Sequence, residues 1–358
     1  MKKFKVGILG ATGTVGQRFV TLLEGHPWFE VTVLAASKSS AGKTYEEAVK
    51  KRWTLPKGIP EDVKNIVLKD AIEDFKEISQ NVDFVFCAIN LAKSDTIELE
   101  KRYAKCECPV ISNNSANRMS SDVPMILPEV NPDHARIIDY QKKRLGTKRG
   151  FIAVKPNCSL QCYVPAIFPL LPLGLKSVNV CTCQAISGAG KTFKDFPEIL
   201  DNLIPYIPGE EEKSQLEPLK IFGKIENGKI VSEGSLKISA MCFRAPISDG
   251  HTAAVFAGFK NKVYESTILE KWKNYKNPIK SLNLPSAPGD FLTYFEEEDR
   301  PQIKLDRNLQ KGMGISLGRL KADVSGNIKF VSMSHNTIRG AAGGAILLAE
   351  LLCKMRYI

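Results

Sequence analysis

The chain has 358 residues, 43% hydrophobic and 25% charged, with a formal net charge of +11. This length suits two or three domains, and the composition is that of an ordinary globular protein rather than a disordered or membrane-embedded one. The longest apolar run, residues 341–353, is too short to span a bilayer and is interrupted by Glu350, and the scattered basic residues form no block or stripe of the kind nucleic acid selects, so the excess suits anionic small molecules.

Phe4–Leu9 is a short apolar run that predicts a buried strand. Lys2 and Lys3 before it could open a leader peptide, but Gly7, Gly10, Gly13 and Gly16 break the stretch, and a strand running into a glycine turn explains it better. A helical pattern follows through Val15, Phe19, Leu22 and Leu23. Phe29–Ala36 reads as a second strand, residues 82–88 as a third, 96–103 as a helix and 109–112 as another strand. Strands alternating with helices imply a doubly wound parallel sheet.

Residues 151–154 form one more strand, and Pro156-Asn157 makes a turn into a mostly apolar helix over 159–171. Long strand-like runs come next, at 178–186, 236–244, 252–259, 314–320 and 328–333, enough for a mixed sheet with helices on one face. A final helix over 336–355 carries Gly340, Gly343 and Gly344, which allow close packing. The expected fold class is α/β: a Rossmann-like doubly wound parallel sheet plus an α+β catalytic and dimerisation domain with a mixed sheet. The expected division places 1–155 and 336–358 in the first domain and 156–335 in the second.

Nine cysteines, an odd number in a long chain, argue for a reducing, cytoplasmic setting rather than a disulfide framework. Cys106/Cys108 and Cys181/Cys183 are spaced by one residue, too close for the usual zinc pattern. No metal site is expected, and Cys181 and Cys183, sharing a strand face, are expected to fill a core.

Gly10, Thr12, Gly13, Thr14 and Val15 lie in a GxxGxxG turn between the first strand and its helix. Glycines there admit a pyrophosphate to the backbone, and the helix N-terminus supplies amide donors. At the end of the second strand, where an NAD site places an acid for the ribose, stand Ser37, Lys38, Ser39 and Ser40. A cation and three hydroxyls suit a 2′-phosphate, so NADP is the expected cofactor.

Cys158 lies where a strand turns into a helix, a position that lowers a thiol's pKa and offers amides to an oxyanion. It is the best nucleophile of the nine cysteines. Cys162, one turn further on, is expected in the core. His251, just before an apolar strand, can shuttle protons near neutrality. His26 sits in a His-Pro turn, His134 follows a helix cap, and His335 stands beside Asn336.

The opening GILGATGTVGQRF, the PNCS segment at Cys158, QAISGAG from Gln184, GEEEK from Gly209, FRAPISDGHTA, DRPQIKLDR and SHNTIRGAAGG resemble aspartate-β-semialdehyde dehydrogenase. The pattern is similar to the archaeal and fungal branch, almost end to end and in the family's order. The resemblance implies Cys158 as the thiol that attacks the acyl group, positioned by Asn157, with Gln184 near it and His251 as acid and base. It implies Arg244 on the substrate carboxylate, Glu210 and Lys213 on its amino group and phosphate, and Arg118 on the phosphate. Asn336 would lie by the nicotinamide, and Ser187 and Gly188 by the cofactor. Lys155 stands where the family commonly has Asn, and Leu160-Gln161-Cys162 replaces the small residues that often follow the nucleophile.

The resemblance implies reduction of L-aspartyl 4-phosphate to L-aspartate 4-semialdehyde with release of phosphate, in a homodimer or homotetramer. Malonyl-CoA reductase, which uses the same thioester chemistry, is the nearest alternative. A non-catalytic NADP-binding regulator is the alternative from another class.

Overall fold

The computed structural model describes residues 2–358. Six strands form the first sheet: β1 (Phe4–Leu9), β2 (Phe29–Ala36), β3 (Lys69–Asp70), β4 (Phe84–Cys87), β5 (Val110–Ser112) and β6 (Ile152–Val154). All pair in parallel, in the order β3-β2-β1-β4-β5-β6. Helices cover both faces, so the central strands can be apolar throughout, and every residue of β4 and β5 is buried. The helix Thr14–Leu23 seats Phe19 on Phe86, ring centroids 4.6 Å apart. The C-terminal helix Gly343–Lys354 belongs to this same core, with its first ten residues buried.

The chain order reverses direction between β1 and β4, and in open α/β sheets ligands bind at that switch, beyond the strands' carboxyl ends. The glycine turn sits there. Gly10 has φ +84°, and a Cβ on it would lie 2.6 Å from the Ala88 carbonyl oxygen just after β4. Only glycine fits.

The second sheet has β7 (Leu175–Gln184), β10 (Lys237–Arg244), β11 (His251–Phe259), β12 (Leu292–Tyr294), β13 (Ile315–Ala322) and β14 (Ile328–Ser334), in the order β10-β7-β11-β14-β13-β12. It is mixed: β10 runs parallel to β7, and β11 antiparallel to both β7 and β14. A small hairpin, β8 (Lys224–Glu226) with β9 (Lys229–Val231), stands apart from it. The wholly buried helix Leu160–Ile167 packs on one face, against β11, β13 and β14. The other face keeps Met241 and Phe256 exposed, at 54% and 39%. The mixed α/β architecture is the expected one.

Some local expectations are corrected. Cys181 and Cys183 do share a face, but it is the open one, and both are half-buried rather than core; helices cover only the opposite side. The helix over 159–171 is α-helical only to Ile167 and tightens to a 3-10 turn over Phe168–Leu173, where Pro169 and Pro172 lack the N–H an α-helix needs. The last helix is preceded by a wider π-type turn, Ile338–Ala342, in which the Gly340 N–H donates to the His335 carbonyl (2.9 Å).

Candidate active site

Sheet register gathers the site. Arg244 pairs with Gln184 at the ends of β10 and β7. The antiparallel β11 begins at that same edge, with His251 opposite Ser334. Three strands thus deliver Gln184, Arg244 and His251 to one line. The segment after β6 brings Cys158 to it, and the segment after β5 brings Arg118 from the first sheet. Between the two sheets lies a cleft of about 400 Å³ that Cys158, Arg118, Lys155, Lys213, Arg244 and Glu210 help to line.

Cys158 Sγ is 3.3 Å from His251 Nε2. The other ring nitrogen, Nδ1, accepts the Ala185 backbone N–H at 3.0 Å. A neutral imidazole carries one proton, so this bond puts it on Nε2, facing the sulfur. Burial, with Arg244 nearby, pushes His251 down to about 3, so the ring stays neutral. In this state its Nε2–H donates to the sulfur or to a substrate oxygen. The expected lowering of the thiol is corrected: burial, then Glu210, push Cys158 up, while Lys155, Arg118 and Arg244 pull it down. Desolvation outweighs the helix terminus here.

Asn157 braces the nucleophile's loop. Its Oδ1 accepts from the Ser159 N–H and hydroxyl, each at 2.8 Å, and its Nδ2 donates to Glu210 Oε1 at 2.9 Å. Lys213 donates to the same oxygen at 2.9 Å. Burial alone would raise Glu210, but Lys213 and Asn157 hold it below the usual carboxylate range. Its Oε2 is buried without a partner among the described residues, an acceptor available to a cationic group. Arg244 donates through one terminal nitrogen to the Ala185 carbonyl (2.7 Å). Gln184 donates to Thr182 Oγ1 (3.3 Å).

Asn336 closes the far side, accepting the Gly250 N–H (2.8 Å) and donating to Ser187 Oγ (2.9 Å). A Cβ on Gly188 would come within 3.1 Å of Arg244 and 3.3 Å of His251, so glycine keeps this wall thin. Val15 lines the cleft, and Thr14 Oγ1 lies 3.5 Å from where a Cβ on Gly190 would be. Gly13 caps the helix Thr14–Leu23, with no side chain bonded to its first amides. Thr12 is buried, and its carbonyl accepts from Gln17 (3.1 Å). At the end of β2, Ser37 and Ser39 pair hydroxyls at 3.1 Å and Lys38 is exposed. Ser40 is buried at 3% exposure, its N–H bonded to the Ser37 carbonyl (2.8 Å).

Several site residues carry no sequence signal of their own. Glu217 accepts from Arg118 (2.9 Å) and from the Asn157 N–H (2.7 Å), tying Arg118 to the loop that carries Cys158. Its spacing from Glu210 and Ser214 on one helix could have flagged it. Asn113 lines the cleft with both amide atoms buried and unpartnered. Gly340 lies against the nucleophile, where a Cβ would be 2.9 Å from Cys158 Cβ.

A glycine turn at the sheet's switch point, facing a Cys–His pair in a cationic cleft, defines a dehydrogenase that works through an enzyme-bound acyl group. Two family models agree: "Semialdehyde dehydrogenase, NAD binding domain" matches residues 5–138 and "Semialdehyde dehydrogenase, dimerisation domain" residues 167–339. The aspartate-semialdehyde dehydrogenase of Archaeoglobus fulgidus is 42% identical over 99% of this chain and 100% of its own. That of Saccharomyces cerevisiae is 39% identical over 98% of each. The structure of the Candida albicans enzyme with NADP superposes with a TM-score of 0.89, at 36% identity and with both chains fully covered. The chain belongs to the aspartate-semialdehyde dehydrogenase family. These full-length relatives favour that reading over malonyl-CoA reductase.

Proposed function

We propose that the protein catalyses NADP-dependent reductive dephosphorylation of L-aspartyl 4-phosphate to L-aspartate 4-semialdehyde through a thioester on Cys158. The observation that carries this reading is the 3.3 Å Sγ–Nε2 contact in a cleft lined by Arg118, Lys155, Lys213 and Arg244. A doubly charged acyl phosphate with an α-carboxylate needs that cationic surplus. Cys158 Sγ attacks the acyl carbon: an S–C bond forms, the C–O bond to phosphate breaks, and phosphate leaves with the electron pair. Arg244 holds the α-carboxylate, and the free oxygen of Glu210 accepts the α-ammonium. Arg118 and Lys213 offset the charge of the departing phosphate. Asn157 keeps the nucleophile's loop in place, and Gln184 lies beside the acyl group.

The residues at the switch point fit NADP. Gly10 leaves room for a pyrophosphate at uncapped helix amides, and no carboxylate stands at the end of β2 to repel a 2′-phosphate from Ser37, Lys38 and Ser39. Ser187, Gly188 and Asn336 would hold the nicotinamide end. When bound, NADPH supplies the hydride that reduces the thioester. The His251 Nε2–H donates to the oxygen on which charge develops, and Cys158 departs as thiolate when the aldehyde forms.

The domain division we infer follows the two sheets: residues 1–155 with 336–358 bind the cofactor, and 156–335 carry catalysis and subunit contact. The half-apolar open face of the second sheet suits a homodimer or homotetramer, in line with the dimerisation model that matches residues 167–339. Among the described residues no helix is long and apolar enough to cross a membrane, and the free thiols suit the cytoplasm.

The test is the reverse reaction. Protein mixed with L-aspartate 4-semialdehyde, phosphate and NADP is expected to form NADPH, and omission of phosphate to stop it. NAD in place of NADP should be much the poorer substrate. A folded protein that is silent here but oxidises NADPH with malonyl-CoA would transfer the chemistry to the thioester substrate.

A further inference from the structure

Four glutamates are buried at 2% exposure or less: Glu100, Glu129, Glu217 and Glu350. Three of them hold the scaffold. Glu350 pairs with His26 (2.9 Å) and accepts the Ser286 N–H (3.0 Å). Glu129 takes both terminal nitrogens of Arg339 (2.5 and 2.8 Å), and Glu100 takes Ser112, Asn114 and Asn117. Glu217 differs, because both of its partners belong to residues that line the cleft. Arg118 Nη1 donates to Oε1 (2.9 Å), and the Asn157 N–H donates to Oε2 (2.7 Å).

The helix Glu210–Ile221 delivers this carboxylate together with other contacts, from residues three and four apart on one face. Glu210 takes the Asn157 amide (2.9 Å), and the Ser214 hydroxyl lies 3.4 Å from that of Ser159. Lys220 Nζ donates to the Arg118, Ser120 and Val123 carbonyls (2.5, 2.7 and 2.8 Å). The backbone of the arginine's segment is thus held independently of Glu217. What Glu217 adds is the orientation of the side chain. Arg118 Nη2 donates to the Asn113 carbonyl (2.8 Å), and with both terminal nitrogens anchored the guanidinium plane cannot turn.

We propose that Glu217 is a positioning residue for the reaction: it bridges Arg118 and the Cys158 loop, so that the cation facing the phosphate and the attacking sulfur keep a fixed separation. Its carboxylate acts through Arg118 and Asn157 and touches neither substrate nor cofactor. This rests on Arg118 and Cys158 serving the proposed reaction, and it adds how the two are kept in step.

The chemistry of the bridge selects a carboxylate. Both partners are donors, so an acceptor is needed at each end, which Glu has and Gln lacks. The negative charge also offsets a guanidinium that is only 5% exposed. The topology gives the bridge its reach. Arg118 follows β5 and Asn157 follows β6, neighbouring strands of the first sheet, whereas the helix that carries Glu217 packs on β10 of the second. One side chain therefore ties both loops to the opposite wall of the cleft. Bond formation at sulfur and departure of phosphate occur on the same acyl carbon, where a misplacement of about 1 Å costs about 100-fold in rate.

The experiment is steady-state kinetics of the reverse reaction, with phosphate, L-aspartate 4-semialdehyde and NADP varied in turn, on the wild type, Glu217→Gln and Glu217→Ala. The Gln variant is nearly isosteric and removes one acceptor. It should raise KM for phosphate at least about tenfold and lower kcat about 10- to 100-fold, with KM for the semialdehyde and for NADP within about threefold of the wild type. The Ala variant should show the same split. Folding is checked by circular dichroism, and either folded variant suffices. A folded variant whose KM for phosphate is unchanged or lower overturns the proposal. So does one in which all three KM values rise together, the pattern of general damage to the cleft, and so does failure of both variants to fold, which would make Glu217 a purely structural residue. A wild type that forms no NADPH in this assay instead sinks the functional reading, so the two failures are told apart.

Discussion

Cys158 and His251 are 93 residues apart in the chain and 3.3 Å apart in the fold. Cys158→Ala removes the only atom the reaction bonds to and almost no volume. Turnover should fall below detection while NADPH binding, followed by fluorescence, stays within about twofold. Retained turnover would dismiss the nucleophile. His251→Asn is expected to behave differently. It keeps a polar group but loses the ring's fixed Nε2–H donor, so kcat should drop about 100-fold or more, the usual scale for an oxyanion donor. Both residues were legible in the sequence, because a cysteine at a strand-to-helix turn and a histidine at a strand start are recognisable positions. Glu217 was not. A helical glutamate is ordinarily solvated, and only its burial against Arg118 and the Asn157 N–H gives this one a role.

At the scale of elements, the segment between β14 and the last helix shows how backbone shape reaches the chemistry. The wide turn Ile338–Ala342 presses Gly340 onto Cys158, at a distance no side chain allows. Gly340→Ala must therefore push the nucleophile's loop or unwind the turn. A loss of about 1–3 kcal/mol in urea unfolding is expected, with kcat lowered about 100-fold by misplacement of the thiol. Normal kcat would show that the loop yields without moving Sγ. The strands β1 and β2 were predicted to the residue, since each apolar run ends at a turn. The helix after Cys158 and the one after Asn336 were read as too uniform. Hydrophobic periodicity does not register where prolines or glycine-permitted close approaches change the helix type.

For the whole molecule, the buried histidines set the response to acid. Burial, and for His251 Arg244 as well, pushes His251 down to about 3 and His335 down to about 4, against an ordinary value near 6.5. As pH falls, the unfolded chain takes up these protons first, so stability declines from about pH 6.5 to about pH 3 and is full above that window. Chemical denaturation at pH 7.5, 5.5 and 4.5 should show a progressive loss of several kcal/mol, and His251→Phe should be less acid-sensitive than the wild type. A flat profile would mean the rings are protonated in the folded state. The same scale explains why the cleft exists: the first sheet's carboxyl edge and the edge formed by β7, β10 and β11 face each other, and both contribute residues to the site.

The sequence by itself determined the α/β class, the order of most strands and the glycine turn, because these depend on local patterns of burial, backbone freedom and residue chemistry. The tertiary structure decided what depends on distant neighbours. It set the proton on His251 through a bond from Ala185 and raised the thiol that a helix terminus was expected to lower. It also placed Cys181 and Cys183 on an open sheet face and buried Lys155. Desolvation and hydrogen-bond partnership belong to the assembled site, and no stretch of chain contains them before the two sheets meet.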